Sequence, residues 1–182
     1  MSAIIRKARI GDAPAIAKLI NHFAAQGLML PKQLVEVYEY IREFWVAIGP
    51  KNQLLGCGGL RLMWNDLAEV RSLAIAEEAQ GQGIGRRLVE ALTGEAYDLG
   101  LARLFALTYQ KEFFEKLEFQ VVERQVFPQK VWMDCQQCPK NQCCDEIAML
   151  RVIDESRAQN AVPFMEEESS GRSFIALPVL KT

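Results

Sequence analysis

The feature that most constrains this chain is the run Gln80-Gly81-Gln82-Gly83-Ile84-Gly85, which stands between a strand-like segment and a helix-like one. Three glycines at alternate positions leave the backbone free of Cβ atoms where a ligand must come close. A helix that starts immediately behind them aims unpaired N–H groups and the positive end of its dipole out of the turn. Such a turn suits a diphosphate. Arg86 and Arg87 add positive charge to the first helical turn, against the dipole, which fits a phosphate partner or simply solvated arginines. Two nucleotide motifs fail on spacing. A dinucleotide turn has Gly-x-Gly-x-x-Gly directly after its strand; here the third glycine comes one position early, and Glu77-Glu78-Ala79-Gln80 intervene. A P-loop ends in Gly-Lys-Ser/Thr, and this turn continues as Gly85-Arg86-Arg87.

Around the turn, the chain reads as alternating strands and helices. Residues 4–9 form a first strand. Asp12 is expected at a helix N-cap with Pro14 just behind it, and Ile16, Leu19, Ile20 and Phe23 carry that helix's apolar period. Gly27 and Pro31 break it, and a second helix is expected over 32–40. Residues 44–48 and 54–62 read as a hairpin around Pro50-Lys51-Asn52. A fourth strand over 68–76 runs into the glycine turn. The helix beyond is expected to bury Ile84, Leu88, Leu92, Ala96 and Leu99, with Gly100 ending it. A fifth strand (103–108), a short helix (112–117), a sixth strand (120–124) and a last, central strand (147–153) follow. This order predicts an α/β fold with a mixed central sheet flanked by helices. Residues 1–154 make one domain. Residues 155–182 make a C-terminal extension, whose apolar stretch 174–177 is expected to pack on the domain or on a neighbouring subunit.

Composition removes several function classes. The 182 residues carry 21 basic and 23 acidic side chains, a formal net charge of -2. A nucleic-acid binder needs a basic excess to neutralise phosphates. No apolar run approaches the ~20 residues that cross a bilayer, and the N-terminus lacks the apolar core of a signal peptide. A cytoplasmic protein with neither membrane nor nucleic-acid partner is expected. With His22 as the one histidine, a Cys–His or Ser–His hydrolase has little to draw on. Four of the five cysteines, Cys135, Cys138, Cys143 and Cys144, fall within ten positions. A tetrathiolate zinc site is one reading, but zinc knuckles separate their pairs by ~12–20 residues and only four lie between these. Reduced thiols are the favoured reading and a reversible disulfide a third. No metal is assigned.

The pattern Gln-x-x-Gly-x-Gly at Gln80–Gly85, behind the strand Val70-Arg71-Ser72-Leu73-Ala74-Ile75, resembles the acyl-CoA motif of the GNAT acetyltransferases. The resemblance covers about residues 3–153 and implies the GNAT (acyl-CoA N-acyltransferase) fold, with acetyl-CoA as co-substrate. It implies that Leu73 and Ile75, with Ala74 between them, present backbone groups to the pantetheine arm. By the same carry-over Gln80, Gly81, Gln82, Gly83, Ile84, Gly85 and Arg86 surround the pyrophosphate. Further segments resemble one branch, the short stand-alone bacterial N-acetylglutamate synthases: Leu30-Pro31-Lys32, the run from Glu39 to Ala47, Gly56-Cys57-Gly58-Gly59-Leu60, the run from Trp64 to Ala74, Phe105-Ala106-Leu107-Thr108-Tyr109-Gln110 and the loop from Asp134 to Met149. That branch implies a small amino acid as acceptor, glutamate first and glutamine second, at the first step of arginine biosynthesis, in a homodimer.

Acceptor carboxylates call for cationic donors, and the candidates are Lys32, Arg71 and Lys111. Each also has a bland role, as surface lysines or, for Arg71, an ion pair with Glu69 on the same strand face. Glu69 is the candidate base, directly or through water. Many family members carry Phe-Tyr-Glu-Lys-Leu-Gly-Phe, whose tyrosine protonates the leaving thiolate. This chain reads Phe113-Phe114-Glu115-Lys116-Leu117-Glu118-Phe119, so the hydroxyl is missing and Glu118 replaces the glycine. Tyr109 is the candidate proton donor in its place. The competing functions are a GNAT enzyme for another small amine or a protein N-terminus, and a non-catalytic acyl-CoA sensor.

Overall fold

The computed structural model describes residues 3–127 and 144–161. Its strands are β1 (Ile4–Lys7), β2 (Phe44–Ile48), β3 (Leu54–Leu62), β4 (Leu67–Ile75), β5 (Arg103–Thr108), β6 (Gln120–Val121) and β7 (Ile147–Val152). Its helices are α1 (Ala13–Ala24), α2 (Leu34–Glu39), α3 (Ile84–Asp98), α4 (Lys111–Glu115) and α5 (Glu155–Gln159). The strands form one sheet in the order β1-β2-β3-β4-β5-β7-β6. Every neighbouring pair is antiparallel except β4 and β5. A parallel pair needs a crossover, and α3 supplies it. Residues 135, 138 and 143 and the extension beyond 161 lie outside the described residues.

The sheet is covered on both faces, as the α/β order predicts. On one face Ile16, Ile20 and Phe23 of α1 and Val37 of α2 pack on Phe44, Val46, Cys57 and Ala74. On the other, Val89, Leu92 and Ala96 of α3 join Leu60, Val70, Leu104, Ala106 and Met149. The near approach of α3 rests on β3 glycines. A Cβ on Gly56 would lie 2.7 Å from Ile75 Cδ1, 3.1 Å from the Ala74 carbonyl and 3.3 Å from Leu88 Cδ1.

The local structure departs from the sequence pattern in several places. Asp12 stands before α1 but makes no side-chain cap there. Its carboxylate instead takes the Arg6 guanidinium at 2.7 and 2.9 Å and the Arg9 backbone N–H at 2.7 Å, closing a tight turn that ties β1 to the start of α1. The second helix begins at Leu34, because the Gln33 backbone N–H donates to Glu36 in the capping position. Leu99, expected in the core, is 56% exposed; α3 ends at Asp98, and the chain turns back through Gly100 at φ +86°. The sixth strand is two residues long. The last strand lies between β5 and β6, next to the sheet edge rather than at its centre.

Candidate active site

The parallel ladder between β4 and β5 runs for three pairs only, Leu67↔Arg103, Ala68↔Leu104 and Glu69↔Phe105. Beyond them β4 keeps its pairing with β3 as far as Ile75↔Gly56, and β5 keeps its pairing with β7 as far as Thr108↔Ile147. The two strands therefore part in mid-sheet. A register shift between Cys57 and Gly59, with Ser72 at φ +51°, marks a bulge where β4 bends away. A cleft of about 1270 Å³ opens in the wedge, lined by β4 from Glu69 to Ile75, the glycine turn, the end of β5 and the loop between α1 and α2.

The glycine turn closes one end. Gly81 and Gly83 hold φ +72° and +74°, and a Cβ on either would meet nothing within 4 Å. Their need for glycine is thus conformational, and the open side is where a ligand can lie. Gly85 lines the cleft too, and a Cβ there would sit tight against the Phe113 ring at 3.3 Å. The Gln80 side chain donates to the Ile75 carbonyl at 3.1 Å, fastening the turn to the end of β4. Of the two arginines only Arg86 lines the cleft, where Glu90 at 2.7 Å raises its already high pKa by hydrogen bonding. Arg87 points elsewhere and donates to the Ala3 carbonyl at 2.8 Å. Gln82 donates to the Glu78 carbonyl and is not a lining residue, whereas Ile84 lines the cleft from the first turn of α3.

The opposite end gathers most of the expected acceptor residues. Glu69, 4% exposed, and Arg71 both line the cleft. Lys32 lines it from the α1–α2 loop, whose backbone Asn21 pins through bonds of 2.9 Å to both the N–H and the carbonyl of Lys32. Tyr109 lines it as well and donates its hydroxyl to Asp145 at 2.7 Å. Lys111 does not join them: it opens α4, pairs with Glu115 at 3.5 Å and lies off the lining. Thr108, at the end of β5 and in the stretch expected to meet the acceptor, lines the cleft too, and Arg124, Cys144 and Glu146 join it without having been marked in the sequence as acceptor-site residues. Only their position after β5 and around β7 brings them there. Phe114 is buried and lines the cleft with a bare ring, stacked edge-on against Phe113 and Phe119.

Comparison with known proteins decides the family. The acetyltransferase (GNAT) domain profile matches residues 41–121. An N-acetyltransferase of Chlorobaculum tepidum, otherwise uncharacterized, is 40% identical over 149 residues, covering 82% of this chain and 96% of the relative. The chain belongs to the GNAT acetyltransferases. The amino-acid acetyltransferase of Mycobacterium tuberculosis is 41% identical to this acetyltransferase over 122 residues, 66% of this chain and 70% of the relative. Among solved structures, N-acetylglutamate synthase from Neisseria gonorrhoeae, complexed with coenzyme A and N-acetyl-glutamate, superposes with a TM-score of 0.76 at 28% identity. That match covers 84% of this chain and 35% of the larger synthase.

Two sulfur groups of the acetyltransferase are described. Cys57 is fully buried in β3, its thiol pushed up to about 12 by desolvation. Cys144 is half-buried, with its thiol 3.7 Å from a Glu146 carboxylate oxygen. The other three members of the cysteine cluster lie outside the described residues. His22 is exposed on α1, 2.9 Å from Glu77, whose carboxyl is lowered by that hydrogen bond. Among the described residues no helix is long and apolar enough to cross a membrane.

Proposed function

We propose that this acetyltransferase moves the acetyl group of acetyl-CoA onto the α-amino group of an amino acid. L-glutamate is the leading acceptor and glutamine a second, in a cytoplasmic enzyme at the first step of arginine biosynthesis. One observation carries the reading: Glu69 and Arg71, two residues apart on β4, both line the cleft at the point where β4 and β5 part. A carboxylate and a guanidinium at that spacing give one group to take a proton from an ammonium and one to hold a carboxylate. The relatives named amino-acid acetyltransferase support the same substrate class.

In this reading Gly81, Gly83 and the N–H groups opening α3 receive the pyrophosphate of the co-substrate, with Arg86 beside them. The wedge edge of β4 at Leu73, Ala74 and Ile75 pairs with the pantetheine arm. Glu69, directly or through a water, accepts a proton from the acceptor ammonium. The freed amine forms a C–N bond with the thioester carbonyl carbon, and the tetrahedral intermediate breaks its C–S bond. Tyr109, held near the cleft at rest by its hydrogen bond to Asp145, turns its O–H to the departing thiolate and protonates it, and the second proton shed by the intermediate's nitrogen restores the phenol through solvent. Arg71 and Lys32 hold the acceptor carboxylates.

Thiol release from acetyl-CoA across a panel of amino acids, polyamines and peptides tests this. Turnover is expected with glutamate and, more weakly, glutamine. Arg71→Gln is expected to raise the amino-acid KM roughly 10-fold or more, the loss of a charged hydrogen bond, with the acetyl-CoA KM unchanged. Turnover confined to amines that lack a carboxylate would overturn the reading.

A further inference from the structure

The register between β3 and β4 decides which charged side chains share a face. Arg61 stands directly opposite Glu69, and Gly59 directly opposite Arg71. Opposed residues of an antiparallel pair project to one side with Cβ atoms about 4.5–5.5 Å apart. Glu69 lines the cleft, while Arg61, half-buried, does not. Arg61 is therefore placed behind Glu69, one strand further from the wedge. Arg71 projects from the same face, beside Gly59. A Cβ on Gly59 would lie 3.4 Å from Arg71 Cγ and 3.7 Å from the Phe44 ring. Glu43, just ahead of β2, senses the whole group. Burial raises its carboxyl, Arg71, Arg61 and Lys32 lower it, and Glu69 adds to the rise. Two carboxylates and three cations thus share one neighbourhood.

We propose that Arg61 is a positioning residue whose guanidinium, fixed by the β3–β4 register, orients the Glu69 carboxylate toward the acceptor amine while Arg71 meets the acceptor's carboxylate. The two arginines then have separate tasks on one face. Arg71 works by contact with substrate, and Arg61 works through Glu69. A planar guanidinium suits that task because its fork fixes the plane of a carboxylate, which an ammonium does not. The inference rests on Glu69 being the base, and its test keeps the two apart.

Steady-state kinetics on Arg61→Gln, Arg61→Lys, Glu69→Gln and the double variant Arg61→Gln/Glu69→Gln supply that test. Arg61→Gln is expected to lower kcat roughly 10-fold or more, with the KM for acetyl-CoA unchanged and that for the amino acid little altered. Arg61→Lys, which keeps the charge and loses the fork, should recover part of kcat. In the Glu69→Gln background the Arg61 change should add no further loss, because the group it orients is already gone. An ion pair serving only the fold would lower the melting temperature of both Arg61 variants and leave kcat intact, and that result overturns the inference. So does an additive loss in the double variant, or an effect confined to the amino-acid KM. Full activity of Glu69→Gln removes the base reading itself, and the inference with it. An inactive Glu69→Gln beside a fully active Arg61→Gln removes the inference alone.

Discussion

Glu118 shows how one residue can carry both strain and a partner. It holds φ +66°, a left-handed conformation, where the chain leaves α4 and the Phe119 N–H reaches back to the Phe114 carbonyl at 3.1 Å. That is a helix-end geometry that favours glycine. The Glu118 carboxylate meets Arg151 of β7, yet its side chain is 77% exposed, so the pair offsets little of the strain. Glu118→Ala loses the pair and keeps the strain; Glu118→Gly loses the pair and relieves it. Urea denaturation is expected to find the glycine variant more stable than the alanine variant by about 1 kcal/mol. Equal midpoints would show that the backbone here is not strained. Gly81 and Gly83 meet the same conformational demand on the ligand side. The sequence pattern marks all three glycines of the turn as room for a ligand. The third, Gly85, lines the cleft and is also packed under Phe113 of α4, and no local pattern announces a contact across nearly thirty residues.

At the scale of elements, the ion pair of Asp12 and Arg6 joins β1 to the start of α1. Hydrogen bonding to Arg6 holds the Asp12 carboxyl below the usual carboxylate range. Its folded pKa is depressed, so the contribution to stability is present above the unfolded value near 4 and is lost as pH falls through the folded one. Asp12→Asn is expected to cost about 1–2 kcal/mol at pH 7, from the loss of a charged hydrogen-bonded pair. The gap from wild type should close as pH falls below 4. A gap that stays constant down to pH 2 would mean that the charge of Asp12 is not what matters.

The same segment shows where sequence is legible and where it is not. An aspartate two residues before a proline does mark a helix start, and α1 begins at the next residue. Which N–H groups the carboxylate serves was decided by Arg6, which arrives from the neighbouring strand. Strand and helix order could be read because apolar period and glycine punctuation are local. The exposure of Leu99, the shortness of β6 and the place of β7 beside the edge could not, since each is settled by what packs alongside. The site divides likewise. Glu69, Arg71, Lys32 and Tyr109 reach the cleft as their motifs imply. Lys111 is turned out by the helix it begins, Arg124 comes in from a part of the chain with no motif of its own, and Glu146 comes from a segment whose resemblance carried no acceptor role.

On the scale of the whole molecule, the sheet does not finish its own bonding. Its central pair, β4 and β5, shares three rungs and then separates, leaving the wedge-side backbone of residues 70–75 facing the cleft. In most sheets the centre is the part best sealed from water. Here, in the reading proposed above, the co-substrate's pantetheine arm completes it. Loading of the co-substrate and consolidation of the fold are then one equilibrium rather than two. At a coenzyme A concentration of 100 times Kd, linkage alone should add about 2.7 kcal/mol to stability. Hydrogen exchange at residues 70–75 is expected to slow on binding more than exchange in β1 or β2. Uniform slowing across the sheet would argue against backbone pairing in the wedge. If the local pattern holds, the concentration of free coenzyme in its surroundings sets not only how fast this protein works but also how long each molecule survives unfolding and proteolysis.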